Sequence, residues 1–420
     1  MDLMNEKKFG FGCMRMPVLE AEDPTSFDYE KINLFFDTFL EQGFTYFDTA
    51  YTYHGYHAEE AVRIALVERH KREEFQLTTK MPLRDFKDDE DLERIFNEQL
   101  VNCGVDYFDF YLLHNMGHNV YEKCCKYDAF HFVQKKQQEG KIKVVGMSFH
   151  DTPELLDEIL SKYGDCIDFV QLQINYIDWE QPNVQSRRCL EIANKYDKPV
   201  TVMEPCKGGT LVNVPEEAAK LMKEYNPEAS IASWALRFAA SQKGVFRVLS
   251  GMNTMEQVMD NTATFKEFKP LNEEENAIID KVVEIINANT AVACTACEYC
   301  THGCPKNIAI PQYFALYNSA MRTTGSFSSQ AVYYNNIALA GHGKASDCIK
   351  CGKCEQACPQ HLLIREYLED VKDKFEANSI IKYVMRISPY NVVHIGEIAD
   401  ASISDYLTGA DEIIHIQVSE

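Results

Sequence analysis

At 420 residues the chain is longer than one ordinary domain, and its 45% apolar and 25% charged residues are the make-up of a globular protein with a sizeable core. The 64 acidic against 42 basic residues leave a net charge of −22, which argues against nucleic acid or an anionic membrane surface as a partner. No run of about 18 apolar residues occurs, the opening Met1–Lys8 stretch lacks a signal-peptide core, and 15 cysteines, an odd number, suit a reducing compartment, so a cytoplasmic protein without membrane spans is expected.

In chain order, Lys8–Pro17 reads as a short strand or hairpin whose glycines let the backbone bend. A regular alternation follows. Amphipathic spacing predicts a helix over Tyr29–Gln42, closed by Gly43, then an apolar strand over Thr45–Ala50. Helix Ala58–Arg69 leads to strand Phe75–Lys80, and helix Asp88–Cys103, stopped by Gly104, leads to strand Phe108–His114. Helix Tyr127–Glu139 precedes strand Val144–Phe149, and helix Pro153–Tyr163 precedes strand Phe169–Ile174. Helix Gln185–Tyr196 feeds strand Val200–Met203, Ser230–Ala240 feeds strand Phe246–Leu249, and helix Met255–Phe265 closes the series. With Phe9–Arg15 as the first strand there are eight strand–helix units. Their apolar strands predict a parallel α/β sheet, and their number a closed (β/α)8 TIM barrel. An open doubly wound sheet would carry a glycine fingerprint after its first strand, and Gly10-Phe-Gly12 is too short for one.

Beyond Pro270, apolar Ile278, Ile279, Val282, Val283 and Ile286 predict a linking helix over Asn272–Asn289. Two cysteine runs follow: Cys294, Cys297, Cys300 and Cys304 before Pro305, and Cys348, Cys351, Cys354 and Cys358 before Pro359. Both have the spacing C-x2-C-x2-C-x3-C-P of bacterial ferredoxins, in which three thiolates curl round one iron–sulfur cubane and the fourth serves the other cluster. The crossed assignment is Cys294, Cys297, Cys300 and Cys358 on one 4Fe-4S cluster, with Cys348, Cys351, Cys354 and Cys304 on a second. Structural zinc takes two separated pairs rather than an unbroken run, and nothing else suggests the secretion that disulfides would need. Between the runs, Pro311–Met321 reads as a helix and Thr323–Ser329 as a small-residue loop. After them come a helix, Leu362–Phe375, and an alternating strand pattern, Ile414–Val418. The expected domains are a barrel over 1–270, a linking helix over 271–290, a small α+β ferredoxin-like domain over 291–376, and a C-terminal extension over 377–420.

The C-terminal ends of barrel strands line the active site in such folds. Those ends here carry Asp48, Lys80 and His114, with Tyr53 in the loop past Asp48. In type, order and spacing these four are similar to the catalytic tetrad of the aldo-keto reductases, and Gly10–Arg15, Phe47–Gly55 and Val145–Ser148 resemble motifs of that family over residues 8–265. With the cysteine runs, the whole chain resembles the members that carry a C-terminal two-cluster ferredoxin domain. The resemblance implies reduction of a small-molecule carbonyl by NAD(H) or NADP(H). Tyr53 would be the proton donor, Lys80 would lower its pKa, Asp48 would orient Lys80, and His114 would bond the substrate oxygen.

On the cofactor side, the resemblance implies a nicotinamide carboxamide held by Ser148 and Gln171, although Phe149 stands where the family has asparagine. The loop Glu204–Leu211, with Gly208, would approach the diphosphate. Lined up on Asn261, the two positions that bear cations in NADP-preferring relatives are Gly251 and Gln257, so NADH preference or weak nicotinamide binding is expected. His54, Met116, His118 and Trp179 are loop candidates for the pocket wall. A hydride carries two electrons and each cluster passes one, which leaves three readings. One is a carbonyl reductase whose clusters exchange electrons with a redox partner protein. Another is a ferredoxin-linked reductase, with a flavin or the substrate taking single electrons. The last is a protein with an idle tetrad, whose clusters only staple a small domain.

Overall fold

The computed structural model describes residues 3–20, 23–181, 184–288, 291–292, 294, 296–321 and 329–376. The strand expected at Ile414–Val418 and the extension over 377–420 lie outside these residues. Eight parallel strands close in sequence order into a barrel: β1 (Phe9–Gly12), β2 (Tyr46–Asp48), β3 (Gln76–Met81), β4 (Phe108–Met116), β5 (Ile142–Phe149), β6 (Phe169–Gln173), β7 (Val200–Met203) and β8 (Val245–Gly251). The helices over the barrel are α1 (Tyr29–Glu41), α2 (Ala58–Val62, continued by a π-helical turn, Arg63–Val67), α3 (Asp91–Cys103), α4 (His118–Lys126), α5 (Ala129–Gln138), α6 (Pro153–Tyr163), α7 (Ser186–Lys195), α8 (Glu216–Tyr225), α9 (Ile231–Ser241), α10 (Met255–Lys266) and α11 (Glu273–Ala288). Then come α12 (Ile310–Met321), α13 (Ser329–Leu339), α14 (Lys353–Ala357) and α15 (Ile364–Phe375).

The expected helix Tyr127–Glu139 starts later than its pattern suggested. Asp128 takes a left-handed φ of +56°, which separates α4 from α5. Helices α4, α8, α13 and the short α14 have no counterpart in the expectation from sequence. Two compact units are distinguished. The first takes in the chain up to Ala291 together with Asn318–Ala340, and the second Val292–Tyr317 and the described residues from Gly341 onward. Among the described residues no helix is long and apolar enough to cross a membrane.

Strand alternation sorts the barrel's side chains into two sets. Phe9, Phe11, Phe47, Leu77, Tyr111, Val145 and Met147 face the helices in one large buried cluster. Tyr46, Phe110, Leu112, Val144, Phe169, Phe246 and Leu249 pack together in the lumen. The bottom of the lumen is plugged by Arg247, fully buried, its guanidinium 3.8 Å from the Tyr46 ring centroid and 3.3 Å from Glu6. The lumen is therefore a packed core, and chemistry is confined to its other end.

Several carboxyls are buried away from the strand ends, and one of them, on α2, carries a titration consequence. Glu59 on α2 is 1% exposed and accepts hydrogen bonds from Thr79 Oγ1 (2.5 Å), Gln99 Nε2 (2.7 Å) and Asn102 Nδ2 (3.2 Å). Burial outweighs these donors and pushes its pKa from 4.5 up to about 7. The folded protein thus holds this proton to higher pH than the unfolded chain. The resulting stabilisation is complete below the unfolded value and lost as pH rises to about 7, a difference of about 3 kcal/mol. Between pH 5 and pH 8 the wild type should therefore lose more thermal stability than Glu59→Gln. Equal losses in the two proteins would show that Glu59 does not titrate this way.

Candidate active site and iron–sulfur ligands

The lumen set, followed past its apolar layers to the C-terminal ends of the strands, becomes polar. Asp48 ends β2, Lys80 lies near the end of β3, and His114 follows Phe110 and Leu112 on the same face of β4. Lys80, 1% exposed, donates from Nζ to Asp48 Oδ1 (2.6 Å), to the Thr49 carbonyl (2.7 Å) and to Tyr53 Oη (3.1 Å). Its ammonium also sits 4.7 Å from the centroid of the Tyr53 ring. His114 meets that ring edge-on at 6.1 Å. The four side chains read from the sequence therefore converge on one mouth. Asp48 and Lys80 are buried, whereas Tyr53 and His114 are partly exposed.

Burial works against the Lys80 charge, but Asp48 and Tyr53 outweigh it and raise the pKa of the ammonium, so Lys80 is a fixed cation. The phenol differs from the expectation. Burial of Tyr53 outweighs the pull of Lys80, and its pKa lies above 10 rather than below. Tyr53 is thus fully protonated at neutral pH, and Lys80 limits a rise that burial alone would make larger. Burial first, then the Lys80 charge, hold His114 well below its ordinary 6.5, so the imidazole is neutral.

Ser148 and Gln171 are register partners across β5 and β6, both buried and both on the lumen face. Ser148 Oγ accepts the Asn115 N–H (2.8 Å) and keeps its own hydrogen to donate, while Gln171 Nε2 donates to Asp48 Oδ2 (3.4 Å). Phe149 turns outward into the core under the helices. Gly208 and Gly209 take positive φ of +64° and +98°, which leaves the backbone after β7 bare of side chains at a sharp bend. The lysine of that loop is not free: Lys207 is buried and pairs with Asp178 at 2.5 Å. Gln257 Oε1 accepts the Asn253 N–H (2.8 Å) and Asn261 Nδ2 donates to Ser250 Oγ (3.2 Å), so both serve the β8–α10 turn. Neither Gly251 nor Gln257 brings a cation. The cation that does lie near is Arg15, which sequence reasoning passed over. Its side chain lies against Gly251 and Gly208, and its guanidinium pairs with Glu204 at 3.4 Å.

The loop candidates have structural partners. Met116 is fully buried, Trp179 packs edge-on against Phe238 (5.4 Å), His118 lies 3.5 Å from Glu122, and His54 Nδ1 lies 2.8 Å from the Pro24 carbonyl.

In the second unit, Cys294, Cys297, Cys300 and Cys358 line one small cleft, and Cys304, Cys348, Cys351 and Cys354 line another. This grouping follows the crossed assignment, with apolar Ile310, Phe314 and Ile364 completing the first wall and Ile308 and Leu368 the second. Among the described residues no three His, Cys, Asp or Glu side chains are gathered closely enough to hold a single metal ion.

A family model for the aldo/keto reductase family matches residues 8–284, and one for a 4Fe-4S dicluster domain matches residues 293–363. None of the curated proteins compared matches the chain. Among solved structures, an aldo-keto reductase from Bacillus halodurans in its holo form superposes with a TM-score of 0.53 at 24% identity, over 66% of this chain and 91% of its own. An aldo-keto reductase from Klebsiella pneumoniae in complex with NADPH gives 0.52 at 21% identity, over 66% and 90%. At these identities the likeness to solved structures speaks for the fold.

Proposed function

We propose, from the premise that this chain belongs to the aldo/keto reductase family, that it is an NAD(P)H-linked oxidoreductase that reduces a small carbonyl compound with Tyr53 as proton donor. The observation that carries this reading is the run of contacts Asp48–Lys80–Tyr53, buried at its acidic end and partly exposed at the phenol and at His114. When bound, a reduced nicotinamide supplies the hydride. Tyr53 gives its phenolic proton to the carbonyl oxygen, so hydride and proton together turn the carbonyl into an alcohol. The Lys80 ammonium, 3.1 Å away, stabilises the phenolate left behind. His114, neutral, orients the same oxygen by a hydrogen bond without competing as an acid. Ser148 and Gln171, neighbours across β5 and β6, would hold the carboxamide, and the backbone at Gly208, free of a side chain, would admit the diphosphate.

The eight cysteines fit two 4Fe-4S clusters, which supply single-electron transfer when bound. In this reading they exchange electrons with a redox partner protein and stand outside the carbonyl step. With no cation supplied by Gly251 or Gln257, and Arg15 beside Gly251 paired with Glu204, a second reading gains support, a ferredoxin-linked reductase with weak nicotinamide binding.

Protein reconstituted anaerobically, with iron and sulfide counted and absorbance checked for flavin, tests both. NADH should exceed NADPH in kcat/KM by at least about ten-fold, because a 2′-phosphate dianion would meet no unpaired cation. A strong NADPH preference overturns the cofactor assignment. Turnover with a reduced ferredoxin-type donor and with neither nicotinamide replaces the first reading by the second.

A further inference from the structure

Two residues beyond Ser148, on the same alternation, stands His150. The lumen face of β5 runs Val144, Gly146, Ser148, and His150 continues it just past the end of the strand, its backbone N–H donated to the Met116 carbonyl (2.8 Å). The ring is partly exposed, yet its Nδ1 is buried and has no hydrogen-bond partner. Its position past the C-terminal ends of β4 and β5 puts it on the side of the barrel where the tetrad stands, and the Lys80 charge bears on both His150 and His114.

What holds His150 comes from an unexpected part of the chain. Helix α13 lies between the two cysteine runs, but Asn318–Ala340 belongs to the barrel unit. Asn336 Nδ2 donates to the His150 carbonyl (3.2 Å), and the Tyr333 ring, 5% exposed, meets the imidazole at 5.9 Å. The helix comes in so close that a Cβ on Gly117 would lie 3.2 Å from Asn336 Nδ2.

A buried, unpaired imidazole nitrogen at a reaction mouth is costly unless a ligand or water meets it. We propose that His150, fixed in place by Asn336 and Tyr333, is a specificity-determining residue that hydrogen-bonds a neutral oxygen substituent next to the carbonyl engaged by Tyr53 and His114. The inference rests on the carbonyl-reducing reading of that mouth and names its substrate class: α-hydroxy carbonyl compounds or α-dicarbonyls. Neutral oxygen is preferred to a carboxylate for a physical reason. Burial, then the Lys80 charge, lower the His150 pKa to about 4, so at pH 7 this imidazole is not a cation. The cations at or near the mouth already face carboxylates, Lys80 against Asp48, Arg15 against Glu204 and Arg84 against Asp85.

The test uses the full, cluster-loaded chain with hydroxyacetone and acetone, which differ only in the hydroxyl. Wild type should favour hydroxyacetone in kcat/KM by at least about ten-fold, since a site built to bond a hydroxyl discriminates against the analogue lacking it. His150→Leu should lose most of that preference, chiefly through a raised KM for hydroxyacetone, with a much smaller change for acetone. His150→Gln, which keeps a polar group, should recover part of the preference. Should His150→Leu not fold, Asn336→Ala, which frees the His150 backbone and leaves its ring intact, should lower the preference by a smaller factor at unchanged iron content. Absence of the preference in wild type, or its full survival in His150→Leu, overturns the inference while leaving the carbonyl-reductase reading intact. Failure of wild type to reduce either ketone with either nicotinamide overturns both.

Discussion

Tyr53→Phe is expected to lower kcat/KM for carbonyl reduction by about 10³, within the range that a positioned general acid contributes. The substitution removes one oxygen and leaves the rest of the contact set standing. Lys80 keeps Asp48 at 2.6 Å and the Thr49 carbonyl at 2.7 Å, so the buried ammonium remains compensated and the barrel should fold. The nicotinamide contacts ascribed to Ser148 and Gln171 do not include the phenol, so the dissociation constant for NADH should stay within about three-fold of wild type. Lys80→Met makes the complementary case. It strands the buried Asp48 carboxylate, so it should lose activity and also cost about 3–5 kcal/mol of stability, visible as a lowered Tm. Initial rates, a nicotinamide titration and thermal melts on the same preparations separate the two variants. Full carbonyl reduction by Tyr53→Phe would eliminate the proton-donor role.

The ligand crossing gives the second large effect, and paired substitutions read it without a structure. Cys304 and Cys348 come from different runs but line one cavity, whereas Cys294 and Cys304 share a run and line different cavities. Cys304→Ser with Cys348→Ser should therefore disable one cluster and leave about four irons per chain. Cys294→Ser with Cys304→Ser strikes both clusters and should leave few or none. If each run held its own cluster, the first pair would strip both clusters and the second pair only one. Iron and sulfide analysis of anaerobically prepared protein, with electron paramagnetic resonance of the reduced state, decides between the two patterns.

The strands were legible because each interior position alternates with a helix-facing one, and apolar runs such as Phe110–Leu113 leave few other places to go. The tetrad was legible because strand ends are the one place where a barrel exposes side chains for chemistry. The direction of the Tyr53 pKa was not. It depends on how deeply the phenol is packed, which spacing does not reveal. Nor was Arg15, whose meeting with Gly251 is made by closure of β1 against β8, elements far apart in the chain. His150 was hidden by Phe149, which occupies the expected cofactor position but faces the opposite side of the sheet. Helix α13 escaped because Val332, Tyr333, Tyr334, Ile337 and Leu339 do not gather on one stripe, so no amphipathic period announces it.

That helix bears on whether the two halves of this protein can be separated at the level of the gene. Residues 289–290, between the last helix of the barrel series and the first cysteine, are the obvious place for a stop codon, and a chain ended there would retain all eight strands. It would nevertheless lack Tyr333 and Asn336, and His150 would lose both the ring beside it and the amide on its carbonyl. The shortened gene would encode a barrel with one wall of its mouth missing. The iron-binding segment is therefore interleaved with the reductase rather than appended to it, and transplanting either half must carry residues 318–340 with the barrel.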